Sequence, residues 1–235
     1  MRYAIYFTPP ADDPLTRKAA HWLGRDAFDG AAIAQPSSEH FGQQALAELT
    51  ADPRRYGFHG TLKAPFMLAE GKTEAELVEA LDLLASDLPA FTLPQIVLGR
   101  LGPFFALVPA EWSAELQLLC DTAVMRLESF RAPLNEADIA RRQPEKLSES
   151  QRENLRTWGY PYVFEDFRFH MTLTGPVPPE QQPFMQQELD RHFAGHANEP
   201  LEFSQLALFI EPERGAPFLV RHVAKLAEPK LRKTA

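Results

Sequence analysis

Apolar and polar residues alternate from the start of the chain. Tyr3, Ile5 and Phe7 fall on one face and Ala4, Tyr6 and Thr8 on the other, the period of a half-buried strand. Pro9-Pro10 ends it. Leu15, Ala19, Trp22 and Leu23 recur at helical spacing, a second short helix fits 37–49, and 56–66 reads as a strand. Thr73 with Glu76 three residues on forms a capping box that opens the apolar series Leu77, Leu81, Leu84 and Leu88. Strands over 91–101 and 104–108 follow, joined by Gly102-Pro103, and then a helix over 111–130.

The segment 135–158 is dense in charge and is broken by Pro144. It reads as a helical excursion on the surface, or a lid, between two halves. From Tyr162 the order of the first half starts again, with a strand (163–174), a proline loop, a helix (180–193) and two strands (201–210 and 218–226). Laying Phe58-His59-Gly60-Thr61-Leu62 over Phe169-His170-Met171-Thr172-Leu173 brings the following strands into near register. This is an internal repeat. It predicts an α+β fold: a bilobal, pseudo-twofold repeat of antiparallel sheet plus helices around a central cleft. The whole of 1–235 is one domain on this reading, with lobes at about 1–134 and 159–235. A motif present once per lobe then appears twice in one cleft.

Composition narrows the chemistry. With 45% hydrophobic and 24% charged residues over 235 positions, the chain is neither disordered nor a coiled coil. Its 21 prolines predict many stiff loops. A net charge of -8 argues against long nucleic acid as a partner and leaves room for a small anion in a local pocket. The first residues lack a leader-like apolar stretch and no apolar run reaches membrane-spanning length, so a cytoplasmic protein with no membrane partner is expected. Cys120 is the only cysteine, in an apolar helical pattern, and is expected to be a buried thiol.

Strand alternation puts His59, Thr61 and Lys63 on one face, and Asp166, Arg168, His170, Thr172 and Thr174 on one face of the second copy. Of seven histidines, only His59 and His170 follow Phe and precede Thr by two and Leu by three. Two imidazoles in one cleft suit phosphodiester cleavage, one taking a proton from the nucleophile and the other giving one to the leaving oxygen. Thr61 and Thr172 would donate to phosphate oxygens, and Lys63 and Arg168 would add positive charge. Tyr6 is a candidate to stack on a sugar or base. No metal or cofactor is required by this set, and the oligomeric state is left open.

The pair of His-x-Thr-Leu motifs, His59-Gly60-Thr61-Leu62 and His170-Met171-Thr172-Leu173, resembles the two-histidine (2H) phosphoesterase superfamily. The stretches 56–66 and 158–175 are most similar to a bacterial branch encoded beside carbon–phosphorus lyase genes and named for phosphonate metabolism. The resemblance implies metal-free hydrolysis of a small cyclic or linear phosphodiester. A non-catalytic binder of nucleotides or phosphorylated metabolites in the same cleft is the alternative. A metal-dependent hydrolase built on His59, His170 and Asp166 is a third.

Other polar groups read more plainly. His192 and His196 are expected to be solvent-facing cations at a helix C-terminus, and Asp166 to pair with Arg168. Arg141, Arg142, Lys146, Arg152 and Arg156 alternate with glutamates as on a solvated helix, a lid that touches substrate being the sharper alternative. At most one of Arg221 and His222 can face the cleft.

Overall fold

The computed structural model describes residues 1–229; the end of the second lobe, 230–235, lies outside the described residues. The elements in chain order are β1 (Arg2–Phe7), α1 (Pro14–Leu23), α2 (Gln43–Leu49), α3 (Ala51–Tyr56), β2 (Gly60–Phe66), α4 (Glu74–Asp87), β3 (Phe91–Leu93), β4 (Ile96–Leu101) and β5 (Phe104–Pro109). They continue with α5 (Ala114–Arg126), α6 (Glu136–Ala140), α7 (Glu149–Trp158), β6 (Met171–Thr172), α8 (Gln182–His192), β7 (Leu201–Phe203), β8 (Gln205–Glu211) and β9 (Leu219–Lys225). The capping box at Thr73 forms, with Glu76 accepting from the Thr73 backbone.

Seven strands make one sheet in the order β4-β5-β6-β2-β1-β8-β9, and β3 pairs with β7 in a second, two-stranded sheet. All pairings between these strands are antiparallel. The internal repeat is visible in the register. Gly60 pairs with its repeat counterpart Met171, and Phe91–Leu93 pairs with Leu201–Phe203. A pseudo-twofold axis therefore runs between β2 and β6. The hairpin β4-β5, which belongs to the first half of the chain, lies against β6, whereas β8-β9 extends the sheet on the β2 side. Each half of the sheet thus draws strands from both halves of the chain.

The two faces of this sheet carry different cores. Ile5, Phe7, Leu62, Phe169, Met171 and Leu173 face the larger one, which the helices cover; α5 packs over β2 and α4 over β8 and β9. Ala4, Tyr6, Ala207, Phe209 and Phe218 form a smaller cluster on the opposite face. Gly60 has no side chain because the Phe169 ring lies over it; a Cβ there would meet ring atoms at 2.3 Å. Trp22 ties α1 to the second motif, its indole N–H donating to the Leu173 carbonyl at 2.9 Å.

Two expectations need correction. The strand expected over 163–174 is only Met171–Thr172, because the chain turns through a short 3-10 segment at Phe164–Asp166 with Phe164 at φ 53°. Asp166 and Arg168 therefore do not continue the alternation of His170. Lys63 also leaves the face of His59 and Thr61. Tyr6 pairs with Thr61 but Ile5 pairs with Lys63, so Leu62 is the extra residue of a β-bulge. A bulge re-aims the residues beyond it. Lys63 turns into the large core, where its ammonium donates to the Val124 carbonyl at 3.0 Å and to Glu128 at 2.6 Å.

Because Lys63 lies behind the sheet, Lys63→Met is expected to cost stability, about 1–3 kcal/mol for a charge-assisted hydrogen bond lost at a buried site. It should leave the ring NMR signals and titration of His59 and His170 unchanged. A rise in either histidine's pKa would show that the ammonium faces them.

Candidate active site

The register of Gly60 with Met171 fixes the geometry of the four motif side chains. In an antiparallel pair, residues one step either side of a paired position oppose each other across the strands. His59 is thus across from Thr172, and Thr61 across from His170. Opposed side chains stand on the same face with Cβ atoms about 4.5–5.5 Å apart. Two imidazoles and two hydroxyls therefore form a compact diagonal set. They sit on the face of the sheet opposite the large core, beside the Tyr6 cluster.

Backbone carbonyls two residues upstream orient both rings in the same way. His59 Nδ1–H donates to the Gly57 carbonyl at 2.8 Å, and His170 Nδ1–H to the Arg168 carbonyl at 2.7 Å. With Nδ1 so engaged, the neutral tautomer leaves the Nε2 lone pair free. The Thr61 hydroxyl, 3.3 Å from His59 Nε2, donates to it. Gly57 carries φ +79°, and a Cβ there would press to 2.5 Å on the Ala27 side chain. Only glycine turns the chain here so that its carbonyl meets the ring two residues on.

Burial governs the electrostatics. Desolvation pushes the His59 imidazolium down to about 4, against the Gly57 carbonyl, and the neighbouring His170 lowers it further. His170 is also lowered by burial, with the Arg168 carbonyl opposing. Burial thus shifts both rings toward the neutral form in the free protein.

Tyr6 is not placed to stack on a ligand. Its ring lies against His59, centroids 3.8 Å apart at 23°, with the Phe209 ring 4.9 Å away and tilted by 52°. It is 1% exposed. Tyr6 is a support under His59, and the reason is the alternation of β1, which buries Tyr6 with Ala4 in the smaller core. Arg168 is exposed beside His170, but its guanidinium folds back, with Nη1 donating to the Glu165 and Phe167 carbonyls at 2.9 and 2.5 Å. Asp166 neither pairs with Arg168 nor reaches His170. It accepts from Ser150, Gln151 and Asn154 at 2.7, 3.1 and 3.2 Å and so ties α7 to the segment before the second motif.

A cavity of about 390 Å³ is lined by Thr61, Phe104, Tyr160, Tyr162, Arg168 and His170 among others, and an adjoining one of about 250 Å³ by Tyr56, His59, Phe104 and Thr172. Phe104 borders both, its ring 5.7 Å from that of His170. The larger of the two lies in the range of small-molecule pockets. Phe104, Tyr56 and Tyr160 are site residues that strand alternation around the motifs does not reveal, since they come from the neighbouring strand β5, the end of α3 and the turn after α7.

The remaining candidates sit elsewhere. His192 is not a solvent-facing cation: its Nε2 donates to the Lys18 carbonyl at 2.9 Å, its ring packs on Trp22, and burial holds it near 4. Arg221 and His222 pair with Glu74 and Asp82 of α4, outside the cleft. Cys120 is buried, as its pattern implies. Among the described residues, no helix is long and apolar enough to cross a membrane.

Comparison with known proteins places the chain among relatives. It is 36% identical over 222 residues to "Ribose 1,5-bisphosphate phosphokinase PhnN" of Janthinobacterium sp. (strain Marseille), covering 93% of this chain and 49% of that one. The protein of the same name from Laribacter hongkongensis (strain HLHK9) is 38% identical over 218 residues, covering 93% and 50%. The chain spans about half the length of these relatives. A crystal structure of E. coli LigT complexed with 3′-AMP aligns over 97% of this chain and 98% of that one, with 16% identity and a TM-score of 0.47. A family model matches residues 61–219, more than half of the chain and both motif strands from Thr61 onward, and the chain belongs to that family, described as Protein of unknown function (DUF1045).

Proposed function

We propose that this protein is a metal-independent phosphodiesterase that opens a small cyclic or linear phosphodiester by general acid–base catalysis with His59 and His170. The observation that carries the reading is the mutual register of Gly60 and Met171, which opposes each motif histidine to the other motif's threonine. A phosphate in this square meets two hydroxyl donors, Thr61 and Thr172, and two Nε2 atoms.

His59, the ring held near 4, is the base, and His170 the acid. Water or a hydroxyl gives its proton to His59 Nε2 as its oxygen bonds to phosphorus. The bond from phosphorus to the leaving oxygen breaks, and that oxygen takes the proton from His170 Nε2. The anionic substrate supplies the charge that lets His170 protonate against its burial. Exchange with solvent then resets both rings. With substrate bound the Thr61 hydroxyl turns from His59 Nε2 to a non-bridging oxygen, and Thr172 donates to another, where negative charge is held in the transition state.

The resemblance to the phosphonate-metabolism branch, and relatives whose printed name carries a ribose phosphate, support a ribosyl cyclic phosphate as substrate. The phosphokinase activity in that name belongs to proteins twice as long and is not carried over to this chain.

Phosphorus NMR on EDTA-treated protein with ribosyl cyclic phosphates and nucleoside 2′,3′- and 3′,5′-cyclic phosphates tests this directly. Ring opening should survive chelation and fall about 10²–10⁴-fold in His59→Ala and in His170→Ala. Loss of turnover on chelation, or turnover that persists in either variant, would refute it. Ligand binding without turnover would return the cleft to the binder reading.

The pH dependence has a definite sign. Catalysis needs one ring neutral and the other protonated, and kcat/KM follows the free protein. Activity should rise through about 4, where His59 loses its proton, and fall below histidine's ordinary 6.5, where His170 does. An optimum of kcat/KM above pH 7, measured with a substrate that has no second ionisable phosphate, would contradict this pair of titrations.

A further inference from the structure

Beside the two-histidine cleft lies a separate cavity, of about 360 Å³, into which five arginines converge: Arg2, Arg55, Arg141, Arg142 and Arg214. Among the described residues, two carboxylates answer them. Glu211, fully buried, accepts from Arg2 Nε at 2.5 Å, Arg55 Nη1 at 2.9 Å and the Gly215 backbone N–H at 2.9 Å. Asp138 accepts from Arg214 at 2.9 Å and from Arg141 at 2.5 Å. Arg142 lies over the Tyr160 ring, 5.0 Å from its centroid, and has no carboxylate partner among the described residues. Five cations against two anions leave a local charge of +3 in a chain whose net charge is -8.

Crowded guanidinium groups repel one another, and such local conflict marks functional sites. A buried carboxylate that grips two of them by one edge leaves their other N–H donors free for a ligand. The planar fork of arginine matches phosphate. The cavity is also coupled to the cleft through aromatic walls. Arg55 lies 4.2 Å from the Tyr56 ring, and that ring is 6.0 Å from His59, so no more than about 10 Å separates guanidinium from imidazole. Tyr160 carries Arg142 on its ring and lines the cleft beside Thr61 and His170. Arg141 and Arg142 come from the excursion at 135–158, which gives that segment a task beyond covering the surface.

We infer that the arginine cavity is a second subsite, which binds a phosphomonoester carried by the same small molecule whose phosphodiester sits between His59 and His170. The inference rests on the proposed phosphodiesterase reading for the role of the neighbouring cleft. The substrate class becomes a furanose cyclic phosphate bearing a second, terminal phosphoryl group. The chain's negative charge disfavours a polyanion, so the terminal phosphate belongs to a free sugar or mononucleotide rather than to a nucleic-acid end.

Two measurements keep the inference and the function apart. The first is calorimetric titration of ribose 5-phosphate into the His59→Ala/His170→Ala protein, which needs no turnover. Binding is expected, weakened at least tenfold in the same protein carrying Arg142→Ala and partly restored by Arg142→Lys. No binding, or binding indifferent to Arg142, would overturn the subsite whether or not the chain is a phosphodiesterase. The second compares kcat/KM for ribose 1,2-cyclic phosphate with and without a 5-phosphate, and for a nucleoside 2′,3′-cyclic phosphate with and without a 5′-phosphate. A preference of tenfold or more for the phosphorylated member of either pair, reduced in Arg142→Ala, supports the subsite and names its source. Equal use of both members in both pairs would refute it while leaving the two-histidine chemistry standing.

Discussion

The antiparallel pairing of Gly60 with Met171 is the contact on which the site depends. It joins two copies of one motif at the pseudo-twofold axis, and its register alone decides that each imidazole stands across from the other copy's hydroxyl. A slip of β6 by one residue would turn His170 and Thr172 to the large core and leave His59 and Thr61 without partners across the strands. The pairing is short, since β6 has only two residues, so it is held from both sides. Phe169 lies over Gly60, β5 pairs with Met171 and Thr172, and the Trp22 indole holds the Leu173 carbonyl.

Much of this was legible because repetition leaves a trace that a single motif does not. Phe58-His59-Gly60-Thr61-Leu62 and its copy announce two equivalent strands, and equivalence predicts that they meet. The capping box at Thr73 and the alternation of the first strand were legible for local reasons. What could not be read depends on neighbours. The bulge at Leu62 exists only relative to β1, so Lys63 keeps its place in the alternation on paper and loses it in space. Tyr6 looks free until His59 lies on it, and the strand before His170 looks continuous until Phe164 turns it. The exchange of hairpins between the two halves of the sheet likewise has no signature in chain order.

The electrostatic design separates two kinds of charge. At the dyad, burial shifts both rings toward the neutral form and carbonyls fix Nδ1–H; under the proposed function, an entering anion favours protonation of His170. At the arginine cavity positive charge is permanent and is held in place by Glu211 and Asp138. Tyr56 and Tyr160 stand between the two. Under the proposed function, this arrangement lets one region hold the substrate through permanent charge while the other moves protons. That the ammonium of Lys63 is turned behind the sheet is consistent with the same division.

The most direct test of the dyad is the protonation state of its two rings, read by nitrogen NMR of ¹⁵N-histidine-labelled protein at pH 7 before and after adding a nucleoside 2′-monophosphate. Both His59 and His170 should appear as neutral rings protonated at Nδ1, and His170 should become an imidazolium when the phosphate binds. Rings protonated at Nε2, or a phosphate that shifts other histidines while leaving these two untouched, would contradict a catalytic pair at the Gly60–Met171 crossing.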